Sequence, residues 1–332
     1  MIKKLFFASC LAFSFVALAQ EQDSVLIKKE LQEVNVNALR ATSLTPISFT
    51  NISKEELEEQ NLGQDLPFLL SFTPSIVTTS DAGAGVGYTG FRVRGSDPTR
   101  VNVTINGIPL NDSESHGVFW VNMPDFSSSI ENIQIQRGVG TSTNGAGAFG
   151  ASLNLITDKL KSKAYASTSN TIGSYGTLKN NVEFGTGLIN NRFTVDARLS
   201  KIESDGYIDR ATSNLKSFYL SGGYYGDDES LKLTIFSGKE VTYQAWNGVP
   251  LRYLDDDSLR TFNIYEYDNE VDNYAQTHYH FNYTKQLKEN EVFNLGLHYT
   301  KGLGYFEQFR SNDDLSDYGI DNIAIGNEII ES

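Results

Sequence analysis

From about residue 163 onward, apolar and polar residues alternate along the chain, which is the period of a β-strand with one apolar face. The alternation is clear at 192–202, where Phe193, Val195 and Leu199 fall on the same side. Seven such strands are predicted, each close to the roughly 9 to 11 residues that cross an outer membrane when tilted. They lie near 164–172, 177–187, 192–202, 216–225, 231–239, 274–285 and 291–301.

The connections between these strands alternate between short and long. LINN at 188–191 and GDDES at 226–230 are short turns, whereas the stretch from Glu240 to Asn273 is a long loop. Short turns on one side and long loops on the other are typical of an outer-membrane β-barrel. A soluble β-sandwich with one polar face has the same period, so the pattern alone leaves that alternative open.

Residues 21–158 follow a different pattern of short strands, helix and glycine-rich loops. The segment from Ile52 to Ile76 opens with Ser53 and Glu56 spaced as a capping box and ends at Pro74. Three period-two strands follow in FRVRG, VNVTING and IENIQIQRG. This pattern predicts a small α+β domain. The inward positions of its one or two helices are assigned to Leu57, Leu62, Leu66, Leu69 and Leu70.

Five glycines fall between Gly138 and Gly150. GAGAFG at 145–150 fits the GxGxxG pattern of a nucleotide site, and so does GVGYTG at 85–90. A dinucleotide fingerprint should open a helix, but a predicted strand follows both segments, which argues against such a site. Glycines at this density indicate backbone that turns tightly or packs against another surface.

Residues 1–19 are predicted to be a secretory signal peptide. Lys3 and Lys4 precede an apolar run that ends in Ala-Leu-Ala at 17–19. A lipoprotein signal acylated at Cys10 is the alternative, but the apolar stretch before that cysteine is too short. Cleavage after Ala19 would remove the only cysteine, which excludes a disulfide scaffold or a thiolate metal site.

The formal net charge of −14 argues against nucleic acid as a partner, because nucleic-acid binding requires a basic face. The chain has no HExxH motif and no recognisable nucleophile, base or carboxylate-pair spacing, so we expect no enzyme activity and no cofactor.

Three motifs carry a resemblance to a known family: FRVRGSD, VNVTINGIPLND and IENIQIQRGVGTSTNGAGAFGASLNLITD. In this order, behind a signal peptide and ahead of alternating strands, they resemble the plug of the TonB-dependent outer-membrane receptors. The match covers about Glu33 to Asp158. Val139 and Asn144 depart from the family pattern, which has a proline and an aromatic residue at these places.

The resemblance implies an α+β plug domain at 40–158, followed by an antiparallel transmembrane β-barrel that begins at 163–332. The family's barrel has 22 strands. About seven strands cannot close a barrel of that bore, so we expect this chain to be part of a longer protein. The final EIIES is not the aromatic-ended strand typical of barrel C-termini, which favours the same expectation.

The resemblance also implies that the inner-membrane TonB complex pulls on the plug through a TonB box within residues 20–39. An extended segment suits this role because it can add as a strand to a partner's sheet. The alternative is that these residues are the first strand of the plug. The candidate box consists of Leu31, Gln32, Glu33, Val34, Asn35, Val36, Asn37 and Ala38.

Arg94 and Arg137 each end a predicted plug strand immediately before a glycine. The resemblance implies that they pair with glutamates of the barrel wall, which we expect beyond Ser332. The planar guanidinium fork can hold two carboxylates. The alternative is that both are solvated turn residues.

Ligand contacts are expected from the plug loops Ser80–Thr89 and Asn111–Trp120 and from the long loop after the fifth barrel strand. His278 and His280 should face the lumen, but no third ligand for a metal is evident, so no metal site is predicted. The ligand-binding candidates are Tyr88, His116, Phe119, Trp120, Tyr243 and Trp246.

Together these features predict a receptor in contact with the lipid of the outer membrane of a Gram-negative bacterium. It would import a scarce, bulky extracellular nutrient, most commonly a ferric siderophore or another iron complex in this family. Cobalamin, haem and glycans are alternative ligands. A secreted, soluble β-rich binding or adhesion module is the alternative from a different functional class.

Overall fold

The computed structural model describes residues 40–141, 144, 147–157, 160–289, 291–326 and 328–331. The first part of the chain contains two short helices, α1 (Lys54–Gln60) and α2 (Leu66–Leu69). Its strands are β1 (Phe49–Ser53), β2 (Ile76–Ser80), β3 (Thr89–Val93), β4 (Val101–Ile105), β5 (Ile108–Pro109), β6 (Ile130–Arg137) and β7 (Ala151–Thr157).

The strands of the second part are β8 (Tyr165–Ile172), β9 (Leu178–Gly185), β10 (Phe193–Ser204), β11 (Ser213–Tyr225), β12 (Glu229–Tyr243), β13 (Val271–Lys288) and β14 (Glu291–Phe306). A small hairpin follows, formed by β15 (Ile323–Ile325) and β16 (Glu328–Ile330). Each of the seven strands predicted beyond residue 163 is confirmed, and β12, β13 and β14 are longer than expected.

The first part, which we call the plug, is built on a five-stranded mixed sheet in the order β1-β6-β7-β4-β5. Only β4 and β7 pair in parallel. β2 and β3 form a separate hairpin. Apolar residues of β4, β6 and β7 form a core with the helix leucines, so the plug has a hydrophobic interior of its own.

The predicted capping box at the start of α1 is present, with Ser53 accepting from the Glu56 amide and the Glu56 carboxylate accepting from the Ser53 amide. The helix ends at Asn61, and Gly63, with φ of +120°, separates it from α2. Leu62 therefore lies in the connection with 57% of its surface exposed, and its assignment to an inward position is wrong. The other four leucines are buried.

The second part, which we call the wall, is one antiparallel sheet whose seven strands pair in sequence order from β8 to β14. On β10, Phe193 and Leu199 are 47% and 59% exposed, whereas Thr194, Arg198 and Ser200 face the plug and are buried. One face is thus apolar and open, and the packed face combines buried polar residues with apolar ones such as Leu215 and Phe236. A soluble β-sandwich would pack two sheets face to face, but here the plug covers the packed face.

The segment around residues 120–130 packs most closely against the wall. The ring of Phe126 lies 5.0 Å from that of Phe236 on β12 and 6.4 Å from that of Tyr219 on β11. Gly238 on β12 permits this approach, because any Cβ there would collide with the main chain of Asn122.

A buried ion cluster joins the plug to the wall at Asp125, whose side chain is 0% exposed. Its Oδ1 lies 2.6 Å from Lys179 Nζ on β9, and its Oδ2 lies 3.3 Å from Arg198 Nη1 on β10. Asn181 Nδ2 and Ser128 Oγ each donate to the carboxylate at 2.6 Å. Burial alone would raise the pKa of Asp125, but the two cations and these hydrogen bonds outweigh it and lower the pKa to about 2.

We expect Asp125→Asn to destabilise the protein by about 3 to 5 kcal/mol, because two buried cations would lose their counter-charge. The measurement is denaturant unfolding of the full-length protein in detergent. Asp227→Asn is the matched control, since Asp227 forms only an exposed pair with Arg192 at 3.9 Å, worth about 0 to 1 kcal/mol. Equal losses in the two variants would contradict this role of Asp125.

The contribution of Asp125 to the stability of the protein depends on pH, and the direction of this dependence follows from its pKa. The folded pKa of Asp125 is depressed to about 2, below the value of about 3.9 for an unfolded chain. Its stabilising contribution is therefore complete above about pH 4 and is lost as pH falls from about 4 to 2. Wild-type stability should decline more steeply in this window than that of Asp125→Asn.

Candidate functional site

The plug loop after β2 meets the connection between β10 and β11. The amides of Tyr207 and Ile208 donate to the Ala82 carbonyl at 2.7 and 3.2 Å. Gly83, with φ of +74°, packs directly against the Tyr207 side chain. One of the two plug loops predicted to face the ligand therefore lies beside the long connections of the wall.

Tyr88, at the end of this plug loop, brings together residues that are far apart in sequence. Its hydroxyl donates to Asp272 Oδ2 on β13, and its ring packs edge-on against Trp246 at 5.5 Å. Burial, followed by the nearby charges of Glu240 and Asp272, raises the pKa of Tyr88, so its hydroxyl stays protonated at neutral pH. Two predicted ligand residues, Tyr88 and Trp246, are thus in contact.

A cavity of about 490 Å³ lies between the second plug loop, from Pro109 to Met123, and strands β12, β13 and β14. This volume is within the range of small-molecule sites, about 300 to 1,000 Å³. The wall contributes Glu240, Asp272, Tyr274, Gln276, His278, His298 and Thr300, and the plug contributes chiefly Tyr88, Asp112, Glu114, Phe119 and Asn122.

The second plug loop is held by its own hydrogen bonds. Asp112 Oδ1 accepts from the amides of Ser115 at 2.7 Å and Glu114 at 3.0 Å. These bonds lower the pKa of Asp112, which is therefore ionised at neutral pH. His116 adopts φ of +60° and is exposed, and Phe119 is 51% exposed where it lines the cavity.

Two predicted ligand residues occupy buried positions. Trp120 is 4% exposed and packs against Phe91 in the plug core, with ring centroids 5.8 Å apart. Tyr243 is 8% exposed and donates its hydroxyl to the Tyr267 carbonyl at 2.7 Å. Contact of Trp120 or Tyr243 with the ligand stays a prediction, and the burial of both side chains argues against it.

His278 and His280 face the plug side of the wall, as expected, and are buried against Phe236. Gln276 Oε1 and Thr300 Oγ1 lie 3.2 and 3.0 Å from the two ring nitrogens of His278. Within the described ranges, no group of three or more His, Cys, Asp or Glu side chains is arranged to hold a metal ion.

The structure brings Arg94 and Arg137 near each other. Arg137 donates to the Pro74 carbonyl at 3.2 Å and to Thr50 Oγ1 at 2.8 Å, both within the plug. Its pKa is lowered by burial and then by the charge of Arg94, which is exposed with φ of +51°. Their pairing with wall glutamates stays a prediction, since those partners were expected beyond Ser332.

A chain of buried amides connects the first described residues of the plug to its glycine-rich loop. Gln134 is bonded to both main-chain groups of Ala41, at 2.7 and 3.0 Å. Gln136 donates to Gln134 at 2.9 Å, and Asn144 donates to Gln136 at 2.8 Å. Asn144, one of the two departures from the family pattern, is therefore part of the network that holds Ala41.

Sequence patterns did not identify Asp125, Lys179, Arg198, Glu240 or Asp272. The only available signal was their place among inward-facing strand positions or in a plug loop, and many other polar residues share such places. The predicted signal peptide and the candidate TonB box lie outside the described residues. No helix in the described part of the chain is long and apolar enough to span a membrane.

We expect Gln134→Leu to speed hydrogen exchange at the Ala41 amide by about ten- to a hundredfold, since two hydrogen bonds of about 1 kcal/mol each are removed. Exchange measured by mass spectrometry on the peptide containing Ala41 tests this. Ser43→Ala, at an exposed position nearby, is the control. Unchanged exchange in Gln134→Leu would show that the amide chain does not hold this segment.

Residues 41–152 match the family model of the TonB-dependent receptor plug domain. The probable TonB-dependent siderophore receptor PirA of Acinetobacter baumannii is 24% identical over 175 residues, which are 48% of this chain and 23% of PirA. TonB-dependent receptors are transporters of the outer membrane, which agrees with the expectation that the chain is not an enzyme.

Solved structures share the fold. The closed form of the ferric-catecholate import receptor Fiu from E. coli K12 superposes with a TM-score of 0.66 at 17% identity, covering 87% of this chain and 40% of Fiu. The alcaligin outer-membrane receptor FauA from Bordetella pertussis gives 0.59 at 15% identity, covering 81% and 41%. FpvA of P. aeruginosa, bound to a pyoverdine, gives 0.65 at 16% identity, covering 80% and 35%.

The chain thus spans 23% of the length of PirA and 35 to 41% of these solved receptors. Its plug sheet and its antiparallel wall follow each other in the same order as in the family. Residues 41–152 thus match the TonB-dependent receptor plug domain, and the seven-stranded sheet that follows matches part of the fold of these solved receptors.

Proposed function

We propose that this protein is an outer-membrane receptor that imports a bulky, scarce nutrient through a plugged β-barrel, driven by the inner-membrane TonB complex. The observation that carries this proposal is the position of the plug. It packs on one face of a sheet whose opposite face is apolar and exposed, and strands with such an outward apolar face suit a lipid environment.

The apolar face also bears on the alternative of a secreted, soluble binding module. Exposed apolar residues recur along the same face of β9, β10, β11 and β14, among them Phe184, Phe218, Leu295 and Leu297. A contiguous apolar surface of this kind is a liability for a protein in solution, and it marks contact with lipid or another apolar partner. We therefore favour the outer membrane over the extracellular medium.

Two features support the proposed interaction with TonB: the match of residues 41–152 to the plug domain model, and the N-terminal segment. The candidate box, Leu31 to Ala38, comes just before Ala41, which Gln134 holds in the plug. A pull on the box would reach the plug sheet through this contact.

The names of the related receptors support an iron chelate as the ligand. They refer to a siderophore, a ferric catecholate, alcaligin and a pyoverdine. Tyr88, Phe119 and Trp246, at or beside the cavity, are the contact residues that we favour, with His116 on the exposed plug loop. Cobalamin, haem and glycans are the other ligand classes to be tested.

Growth of a deletion strain tests the import function directly. We expect slower growth than wild type when iron is limiting and supplied only as chelates, and restoration by the wild-type gene. Parallel cultures limited for cobalamin, haem or defined glycans decide among the other ligands. Normal growth under every limitation would overturn the proposal that this protein imports a scarce nutrient.

We expect Val34→Pro to abolish uptake and leave ligand binding at the cell surface unchanged, because proline cannot donate a hydrogen bond to an added strand. Val34→Thr keeps the amide and the β-branched shape, so it should retain uptake. Uptake and surface binding of a radiolabelled ligand are measured in the same cells. Unchanged uptake in Val34→Pro would refute the assignment of the box to Leu31–Ala38.

A further inference from the structure

The cavity between the second plug loop and the wall has an acidic lining. Asp112 and Glu114 approach it from the plug, and Glu240 and Asp272 approach it from β12 and β13. No Lys or Arg is among the described residues that line it. The remaining polar groups of the lining are amides, hydroxyls and two histidines.

Three cations of the wall outside this lining are engaged by other groups. Lys179 and Arg198, which face the plug from the wall, are held by Asp125 within the buried cluster. Arg210, in the connection after β10, donates to the carbonyls of Tyr265 and Asn263 at 2.7 and 3.2 Å. These three side chains therefore do not offset the carboxylates of the cavity.

Two of the four carboxylates of the lining are held in place, and a buried amide oxygen lies beside them. Asp272 is held by Tyr88, and Asp112 is held by the backbone of its own loop. Asn122 lines the cavity with only 6% of its surface exposed, and its Oδ1 has no hydrogen-bond partner among the described residues. Fixed carboxylates with no Lys or Arg among the described lining residues favour a ligand that donates hydrogen bonds and disfavour a multiply anionic ligand.

We propose that this cavity binds an uncharged or cationic ligand that donates hydrogen bonds, and that it discriminates against multiply anionic ligands. This inference rests on the proposed import function and narrows its substrate class. Three dianionic catecholates around Fe³⁺ leave the complex trianionic, whereas three monoanionic hydroxamates leave it uncharged. Among iron chelates, the cavity therefore favours tris-hydroxamates over tris-catecholates.

Charged thiol reagents measure the electrostatic potential of the cavity without requiring import. The full-length protein carrying Phe119→Cys is treated with a cationic and with an anionic methanethiosulfonate, and the ratio of the two reaction rates is measured. We expect this ratio to be roughly tenfold higher than the ratio for 2-mercaptoethanol in solution. The unsubstituted protein sets the background. Salt should reduce the difference, since it screens charge.

Charge reversal provides the matched comparison. Adding Glu114→Lys, an exposed position that lines the cavity, should lower the reagent ratio several-fold. Adding Asp227→Lys, on the turn between β11 and β12, should leave it unchanged. The inference of an acidic cavity would be overturned by a cationic-to-anionic rate ratio at or below that of 2-mercaptoethanol. It would also be overturned if Glu114→Lys and Asp227→Lys changed the ratio equally.

Uptake of three ferric chelates, trianionic, uncharged and cationic, tests the ligand class. We expect uptake of the uncharged or cationic hydroxamate complex to exceed that of the tris-catecholate at least tenfold, and Glu114→Lys to narrow the gap. Preferential uptake of the trianionic complex would overturn the inference. If thiol labelling confirms the acidic potential but no nutrient is imported, the proposed function fails and the charge preference of the cavity stands.

Discussion

The buried carboxylate of Asp125 is the constraint on which the relation between plug and wall depends. Apolar contacts join plug and wall at Phe126, Tyr219 and Phe236, but the inner face of the wall also carries buried cations, which apolar packing cannot hold. Asp125 neutralises Lys179 and Arg198 at side-chain exposures of 0 to 3%, and Ser128 and Asn181 satisfy the rest of its carboxylate. A buried charge is tolerated only when it is paired in this way, which fixes this segment of the plug on β9 and β10.

In this cluster the acidic and basic residues are exchanged between plug and wall, compared with the ion pairs that the family resemblance implies. There, plug arginines meet wall glutamates. Here, the plug supplies the acid and the wall supplies both bases. Glu240 and Asp272 of the wall line the cavity instead, away from this cluster.

Local patterns succeeded wherever a structural element depends on near neighbours. The capping box starts α1 through contacts three residues apart, and the period-two alternation identified all seven wall strands because one face of that sheet is apolar. The same reasoning failed at Leu62, because the helical period was extended beyond the end of α1 into the connection that contains Gly63. The positive φ of that glycine ends the register, so Leu62 points to solvent.

The sequence by itself determined the order of plug and wall, the strand faces and the resemblance of the plug, since these follow from periodicity and from contiguous motifs. Only the tertiary structure decided which polar residues meet. Tyr88 and Asp272 are 184 residues apart, and Asp125 meets Asn181 across 56 residues. Many inward positions carry a similar polar residue, and no local pattern shows which of these residues pair with each other. The pairing was decided by the packing of the plug on the wall, where burial makes an unpaired charge too costly.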